Sequence, residues 1–223
     1  MAKTDNNRQR LLLTSGGLRN PTLINSLLEL TDKPASELKV AFIPTALNVE
    51  PGDKGWAIDQ MLRLRDMGVA QIDIVDISAT DKEVWLPRLE ESNVIFVNGG
   101  NTTYLMSCFT KSGLANEIPR LLQDRVYVGV SAGSYVATPD IRFNTDNTDK
   151  VLDGLKLVDF GLQVHLYSPK FPVAKSEEAV RERVKGCPYT VYALDDQMAI
   201  KVVGSEMEIV GEGKYLKFEP SER

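Results

Sequence analysis

The sequence has one histidine and two cysteines among its 223 residues. Because His165 stands alone, any mechanism that needs a histidine base has to use it, and a site with several histidine ligands is excluded. Cys108 and Cys187 lie far apart, with neither the spacing of a metal site nor that of a disulfide framework. We therefore expect two reduced thiols.

Long apolar runs and basic runs are also missing. The apolar stretches have strand length and fall far short of a membrane span. The first ten residues are polar, and the three leucines that follow are too few for a signal-peptide core. The 26 basic and 31 acidic residues give a net charge of −5 without a basic cluster. These features predict a cytoplasmic protein that binds neither membranes nor nucleic acid. They do not choose between a monomer and a homodimer.

Strand-like and helix-like segments alternate through the first 137 residues. Residues 93–97 are nearly all apolar, as in a strand buried on both faces of a parallel sheet. The predicted strands are residues 10–14, 39–44, 70–77, 93–97 and 125–130, and the predicted helices are 21–30, 53–67, 81–90, 102–110 and 114–122. The alternation predicts an α/β fold in one domain over residues 1–223, with a doubly wound, mostly parallel, flavodoxin-like sheet flanked by helices.

The pattern changes in the last third of the chain. Residues 138–153 are polar and predict a long loop, and residues 155–165 are mostly apolar and predict an extended segment. A charged helix is expected at 176–185, with a serine N-cap. Residues 189–218 read as short strands joined by glycine turns, which predicts a short β-rich C-terminal extension.

A Gly-x-Ser-x-Gly pentapeptide lies at residues 129–133, between a predicted strand and a predicted helix. A sharp turn there lifts the hydroxyl of Ser131 above the sheet edge, and small neighbours permit the strained backbone. The start of the following helix offers free N–H groups to a developing oxyanion. Ser131 is therefore a candidate nucleophile. The alternative is a helix N-cap flanked by glycines that serve packing.

A second glycine-rich turn, Asn-Gly-Gly-Asn at residues 98–101, follows the fourth strand. Glycines let the backbone face a ligand, so the N–H of Gly100, paired with that of Ala132, would make a two-donor oxyanion hole. A phosphate-binding loop and a plain strand-to-helix turn are competing interpretations.

The lone histidine and several acids are the remaining candidates. His165 ends an apolar segment, where it could reach the carboxyl edge of the sheet beside Ser131. Asp195 and Asp196 follow an apolar strand, and Asp146 lies in the polar loop. Because the chain order of triad residues differs among unrelated folds, order alone does not choose the acid.

Several of these segments resemble the peptidase E family (α-aspartyl dipeptidases, family S51), in the same order along the chain. The similar segments are AFIP, VNGGNT, GVSAGS, the single histidine and ALDD, at residues 41–44, 97–102, 129–134, 165 and 193–196. The resemblance spans about residues 11–203, and cyanophycinases share the scaffold and similar motifs. It implies a fold related to class I glutamine amidotransferases, with serine in place of their cysteine nucleophile.

Carried over by position, the resemblance implies roles for five residues. Ser131 matches the nucleophile and His165 the base, while Gly100 and Ala132 match the oxyanion-hole positions. The third triad member is glutamate in the dipeptidases, and the matching residue is Asp196, which is one methylene shorter.

Further candidates surround this set. Asp195 and Asp146 are candidate supporting acids, and Asn101 is a candidate substrate contact. The aspartyl dipeptidases hold the substrate carboxylate with an arginine on the helix after the histidine, since arginine pairs with carboxylates in a bidentate way. The ungapped register places a valine there, with Arg181 and Arg183 beside it.

The resemblance therefore implies a serine peptidase that hydrolyses short peptides through an acyl-enzyme, without a metal or cofactor. Dipeptides with N-terminal aspartate are a hypothesis for its substrates. One alternative is a cyanophycinase-like hydrolase that uses the same triad. Another is a non-catalytic, flavodoxin-like protein that holds a small anion in its two glycine loops.

Overall fold

A computed structural model describes residues 9–143 and 151–220 of the chain. Within them the strands are β1 (Arg10–Thr14), β2 (Lys39–Ile43), β3 (Gln71–Ile74), β4 (Val94–Val97), β5 (Val126–Val130), β6 (Gly161–Gln163), β7 (Val191–Leu194), β8 (Met198–Val203), β9 (Glu206–Gly211) and β10 (Tyr215–Phe218). The α-helices are α1 (Pro21–Thr31), α2 (Gly55–Asp66), α3 (Lys82–Glu90), α4 (Thr102–Ser112), α5 (Leu114–Leu121), α6 (Ala132–Tyr135) and α7 (Glu177–Arg183). Single 3₁₀ turns occur at Ala35–Glu37, Thr45–Leu47 and Pro172–Ala174.

The main sheet has seven strands in the order β3-β2-β4-β5-β1-β8-β9. Its first five strands are parallel to their neighbours, whereas β8 runs antiparallel to β1 and β9 antiparallel to β8. The predicted α/β fold with a mostly parallel sheet is confirmed.

Both faces of the parallel strands are buried, as the apolar strand sequences require. Alternate residues point to opposite faces, so Phe42 and Phe96 pack with α1 on one side, and Ile43 and Val97 pack with α3, α4 and α5 on the other. The rings of Phe42 and Phe96 stack with their centroids 5.2 Å apart. The two cores fix the central strands and therefore the loops at their carboxyl ends.

The last third of the chain contains the predicted short C-terminal strands, but it departs from the prediction before His165 and in the division of those strands between two sheets. The residues before His165 are not one extended segment, because Lys156 adopts φ 57° and the flanking N–H groups of Leu155 and Leu157 donate to the carbonyls of Val136 and Ala137. Only Gly161–Gln163 forms a strand, which pairs parallel to β7. The C-terminal strands are also split, since β8 and β9 extend the main sheet while β7 and β10 join β6 in a second, three-stranded sheet.

The loops that follow β1, β4 and β5 share one edge of the sheet. Neighbouring parallel strands end at the same edge, so these loops meet there. The turn between β7 and β8 reaches the same place, because the amide of Ser15 donates to the carbonyl of Met198 at 3.1 Å. Among the residues that the structure describes, no helix is long and apolar enough to span a membrane.

Candidate active site

Ser131 occupies a strained turn between β5 and α6. Its backbone has φ 49° and ψ −105°, and its N–H donates to the carbonyl of Thr14 at 3.1 Å. A Cβ on Gly129 would lie 2.7 Å from the backbone of Gly133, and a Cβ on Gly133 would lie 2.1 Å from the carbonyl oxygen of Val97. Glycine at both positions lets backbone pack on backbone, which holds the Ser131 hydroxyl at the sheet edge.

Three side chains from distant segments form a continuous hydrogen-bonded chain at this edge. Oγ of Ser131 lies 2.9 Å from Nε2 of His165, and Nδ1 of His165 lies 2.6 Å from Oδ1 of Asp196. His165 follows β6, and Asp196 lies in the turn between β7 and β8. The His165 side chain is 13% exposed and that of Asp196 is 30% exposed. The acid, the imidazole and the hydroxyl are thus arranged for proton transfer.

The surroundings keep Asp196 ionised. Burial raises the pKa of this carboxyl, but a larger combined effect lowers it: the hydrogen bond and charge of His165, the charge of Arg19 and a hydrogen bond from Ser15. The pKa of Asp196 therefore lies below its ordinary value. A carboxylate in this state stabilises a positive charge on the adjacent imidazole.

Phe171 covers the face of the His165 imidazole. The two rings stack with their centroids 4.0 Å apart and an interplanar angle of 7°. Phe171 also lines the cavity in front of Ser131. The stack restricts rotation of the imidazole and shields it from water on that side.

The glycine turn after β4 lies beside the serine. A Cβ on Gly99 would be 3.3 Å from Cβ of Ser131, and one on Gly100, where φ is 134°, would be 2.3 Å from the carbonyl oxygen of Ala46. Within the described residues, the N–H groups of Gly100 and Ala132 have no hydrogen-bond acceptor. Both are therefore available to an oxygen atom bound next to Ser131.

A cavity of about 510 Å³ opens in front of the three side chains. Residues that line it come from α2, from the loops after β1, β4 and β5, and from the segment after β6. Its charged lining residues, apart from Asp196, are Arg19, Lys54, Lys170 and Glu50. Among the described residues, and apart from the carboxylate that contacts His165, the cavity lining therefore has three cationic side chains and one anionic side chain.

Comparison with protein families matches residues 11–210 to the model of peptidase family S51. The chain belongs to peptidase family S51. The predicted resemblance is confirmed, and this S51 protein is a peptidase and hence a hydrolase.

Relatives of this S51 peptidase carry related names. Peptidase E of Pasteurella multocida is 27% identical over 227 aligned positions, which cover 94% of this chain and 92% of the relative. A probable alpha-aspartyl dipeptidase of Drosophila melanogaster is 30% identical over 135 positions, 56% of this chain and 55% of the relative. The crystal structure of a peptidase from an acI-B1 Actinobacterium superimposes with a TM-score of 0.73 at 16% identity, covering 96% of both chains. This last likeness concerns the fold.

Two other predicted site residues of the S51 peptidase make their contacts elsewhere, and a third lies outside the described residues. Asp195 faces away from the imidazole, and its carboxylate accepts hydrogen bonds from the amides of Gln197 and Lys214 at 2.9 and 2.6 Å. Asn101 caps α4, with its side-chain oxygen accepting from an α4 amide at 2.8 Å, and it does not line the cavity. Asp146 falls in the stretch 144–150, outside the described residues.

The two arginines of α7 do not line the cavity either. Arg181 points outward, with its guanidinium 2.7 Å from Glu177 and 5.3 Å from the centroid of the Phe218 ring. Arg183 is half-buried and does not line the cavity, although its charge acts on the hydroxyl of Tyr135, which does. The placement of α7 therefore gives no support to the prediction that either arginine contacts substrate.

Sequence reasoning missed three residues that surround the triad side chains. Ser15 contacts both His165 and Asp196, Arg19 lines the cavity, and Phe171 stacks on the imidazole. The Ser-Gly-Gly turn after β1 was a sequence signal for Ser15 and Arg19. Because β1 lies beside β5, this turn lies at the same sheet edge as Ser131.

Proposed function

We propose that this S51 peptidase is a serine peptidase that cleaves short peptides through an acyl-enzyme on Ser131. The observation that carries the proposal is the unbroken chain from Ser131 through His165 to Asp196, with contacts of 2.9 and 2.6 Å. A nucleophile within hydrogen-bond reach of a base that a third group orients is the arrangement that activates serine.

The reaction proceeds in two halves. His165 takes the proton of Ser131 while Oγ attacks the peptide carbonyl, and the imidazolium then protonates the leaving amine. Water then attacks the ester while His165 takes its proton, and His165 passes that proton to Oγ of Ser131 as the C–Oγ bond breaks and the acid leaves. Asp196 holds the proton on Nδ1, so that Nε2 faces Ser131 as the acceptor, and it stabilises the transient imidazolium.

The oxyanion of each tetrahedral intermediate is held by two backbone groups. The N–H groups of Gly100 and Ala132 flank Ser131 and have no acceptor among the described residues, which supports this role. Donors fixed by the backbone need no reorganisation as charge develops, and losing one such donor typically costs about 10²–10³ in kcat.

The cavity favours small substrates with an acidic group. Its volume of about 510 Å³ lies within the roughly 300–1,000 Å³ range of pockets that enclose small ligands. Arg19 lies at its rim, with Nε donating to the carbonyl of Gly16 at 3.0 Å, and Lys54 and Lys170 line it as well. These cations support the hypothesis that dipeptides with N-terminal aspartate are substrates, by contacts other than those of α7.

Two alanine variants test the mechanism. Ser131→Ala and His165→Ala are each expected to abolish hydrolysis of a dipeptide panel while the thermal unfolding midpoint stays near that of the unchanged protein. Ser26→Ala, which removes a buried serine hydroxyl from α1, is the matched control and should keep full activity. Full activity in Ser131→Ala or His165→Ala would refute the triad and favour the anion-binding alternative.

The substrate is tested by comparing Asp-Leu, Asn-Leu and Leu-Leu with an unfolded protein and with cyanophycin. We expect Asp-Leu to be cleaved best, and Arg19→Gln to reduce kcat/KM for Asp-Leu more than for Leu-Leu. Arg181→Gln serves as the control, because that side chain lies outside the cavity. Cleavage of the protein with all dipeptides ignored would contradict the short-peptide proposal, and preferred cleavage of cyanophycin would support the cyanophycinase-like alternative.

A further inference from the structure

Ser15 lies between the segments that carry the nucleophile and the acid. It follows the last residue of β1, and the neighbours of β1 in the sheet are β5, which ends just before Ser131, and β8, which begins just after Asp196. The residue is fully buried, and its amide donates to the carbonyl of Met198 at 3.1 Å. Its backbone position is therefore fixed by the main sheet.

The Ser15 hydroxyl contacts the base and the acid at once. Its Oγ accepts a hydrogen bond from the backbone N–H of His165 at 2.8 Å, so its own proton is free to point elsewhere. That proton points to Oδ1 of Asp196 at 3.3 Å, the same oxygen that accepts from Nδ1 of His165. Ser15, His165 and Asp196 thus close a ring of three hydrogen bonds, in which the bond to the His165 amide is the shorter of the two made by Ser15.

This contact matters because the His165 backbone is in an unfavourable conformation. Its φ is 62°, in the left-handed region that non-glycine residues rarely adopt. Such a conformation persists only where the surrounding structure holds it. The amide of His165 is held by a side chain rather than by a strand neighbour, and from this backbone position the imidazole lies 2.9 Å from Oγ of Ser131.

We propose that Ser15 is a positioning residue, which holds the base and the acid in register with Ser131 through the backbone of His165 and the carboxylate of Asp196. This inference rests on the proposed function. Without the hydroxyl, the partly buried His165 amide loses its acceptor, and the left-handed turn loses a restraint. The imidazole would then spend less time within reach of Ser131, so the chemical step would slow while substrate binding stays the same.

The test uses an alkyl fluorophosphonate, which needs no knowledge of the natural substrate. Oγ of Ser131 forms a bond to phosphorus, the P–F bond breaks, fluoride leaves, and the proton of Oγ passes to His165. The rate constant at saturation (kinact) and the half-saturating concentration (KI) are measured by intact mass for the unchanged protein, Ser15→Ala, Ser15→Thr and the control Ser26→Ala. The same constants are measured for Asp196→Asn and for the double variant that carries both Ser15→Ala and Asp196→Asn.

We expect Ser15→Ala to lower kinact about 10- to 100-fold and to leave KI within about twofold. This fall in kinact corresponds to the loss of one hydrogen bond to a charged or strained group. Ser15→Thr, which keeps the hydroxyl, should recover most of kinact. In the Asp196→Asn background, Ser15→Ala should lower kinact less than about threefold further, because residues that act as one unit are not additive.

Two outcomes overturn the positioning role. One is kinact in folded Ser15→Ala within about threefold of the unchanged protein, and the other is a full multiplicative loss in the double variant. If Ser15→Ala does not fold, Ser15→Thr decides, since a folded Ser15→Thr that loses kinact more than tenfold contradicts a role for the hydroxyl. Failure of the proposed function is distinct, because Ser131 would then remain unlabelled in the unchanged protein.

Discussion

Replacing each of two adjacent acids by asparagine separates their roles. Asp196 contacts Nδ1 of His165 at 2.6 Å, whereas the carboxylate of Asp195 accepts from the amides of Gln197 and Lys214 at 2.9 and 2.6 Å. Asp196→Asn and Asp195→Asn make the same chemical change one residue apart, so each variant is the control for the other. We expect Asp196→Asn to lose activity and Asp195→Asn to lose only some stability.

The magnitude follows from the charge that forms on the imidazole. When Ser131 passes its proton to His165, the new positive charge lies roughly 4 Å from the carboxylate charge, and at an effective dielectric constant of about 20 this pair attracts by about 4 kcal/mol. The Asp196 side chain is 30% exposed, so water screens part of the attraction. We take about 3 kcal/mol, which corresponds to a loss of about 100-fold in kcat. A reversed imidazole tautomer, which an asparagine amide would favour, adds to this loss.

Asp195→Asn keeps an acceptor oxygen for one of the two backbone amides, but its NH2 group replaces the other oxygen and leaves the second amide without an acceptor. We expect a cost of about 1–3 kcal/mol in the free energy of unfolding, with kcat within about threefold of the unchanged protein. The assays are steady-state hydrolysis of Asp-Leu near neutral pH and urea unfolding of both variants. The reasoning fails if Asp195→Asn loses as much activity as Asp196→Asn, or if Asp196→Asn keeps kcat within about fivefold.

Three further predictions concern the turn that carries Ser131, the stability of the protein in acid, and the Phe171 ring that stacks on the imidazole. Gly133→Ala places a Cβ 2.1 Å from the carbonyl oxygen of Val97, which is a backbone atom and cannot move aside as a flexible side chain could. We therefore expect the free energy of unfolding, measured in urea, to fall by about 3 kcal/mol. A fall of less than about 1 kcal/mol would contradict this packing. Burial raises the pKa of Asp140, but the hydrogen bonds from Arg142 and Tyr189 and the charge of Arg142 together lower it by more, so the folded pKa lies below the unfolded one. That stabilisation is present above about pH 4 and is lost as the pH falls through the folded pKa. Asp140→Asn should therefore shrink the difference in unfolding midpoint between neutral pH and pH near 3, and an unchanged difference would argue against the pair. Phe171→Ala removes the ring stacked 4.0 Å from the imidazole and should lower kcat by about three- to tenfold at unchanged KM, measured on Asp-Leu; a pure KM effect would mean that the ring only contacts substrate.

The parallel sheet could be predicted from the sequence because its signals are local. Four consecutive apolar residues at Val94–Val97 fit only a strand covered on both faces, and the glycines around Ser131 mark a tight turn at its neighbour β5. The extended segment before His165 was predicted wrongly from the same kind of signal. Its apolar side chains are buried, but the carbonyls of Val136 and Ala137 take up its amides and bend the chain.

Ser15 and Arg19 could not be assigned in this way because their partners are distant in the chain. Ser15 lies 150 residues before His165 and 181 before Asp196, so only the pairing of β1 with β5 and β8 brings them together. The candidate Arg181 shows the opposite case, in which a local sequence signal does not give the direction of the side chain. Helical spacing places Arg181 next to a buried residue, and neighbours in sequence on a helix face different directions, so the burial of Val180 turns Arg181 to solvent.

The same geometry explains why the tertiary structure, and not the local sequence, determines which of Asp195 and Asp196 contacts His165. Both acids follow β7, and side chains that follow one another along an extended chain point to opposite sides. Pairing with β10 decides which side each takes, because the amide of Asp195 donates to the carbonyl of Lys214 at 3.0 Å and its carboxylate accepts the Lys214 amide in return. Asp195 is committed to that turn, and Asp196 is thereby directed across the edge of the main sheet toward Ser15 and His165. The direction of the Asp196 carboxylate therefore depends on β10 as well as on β7. Shifting the register of β10 by one residue should disable the site without altering any residue that touches substrate.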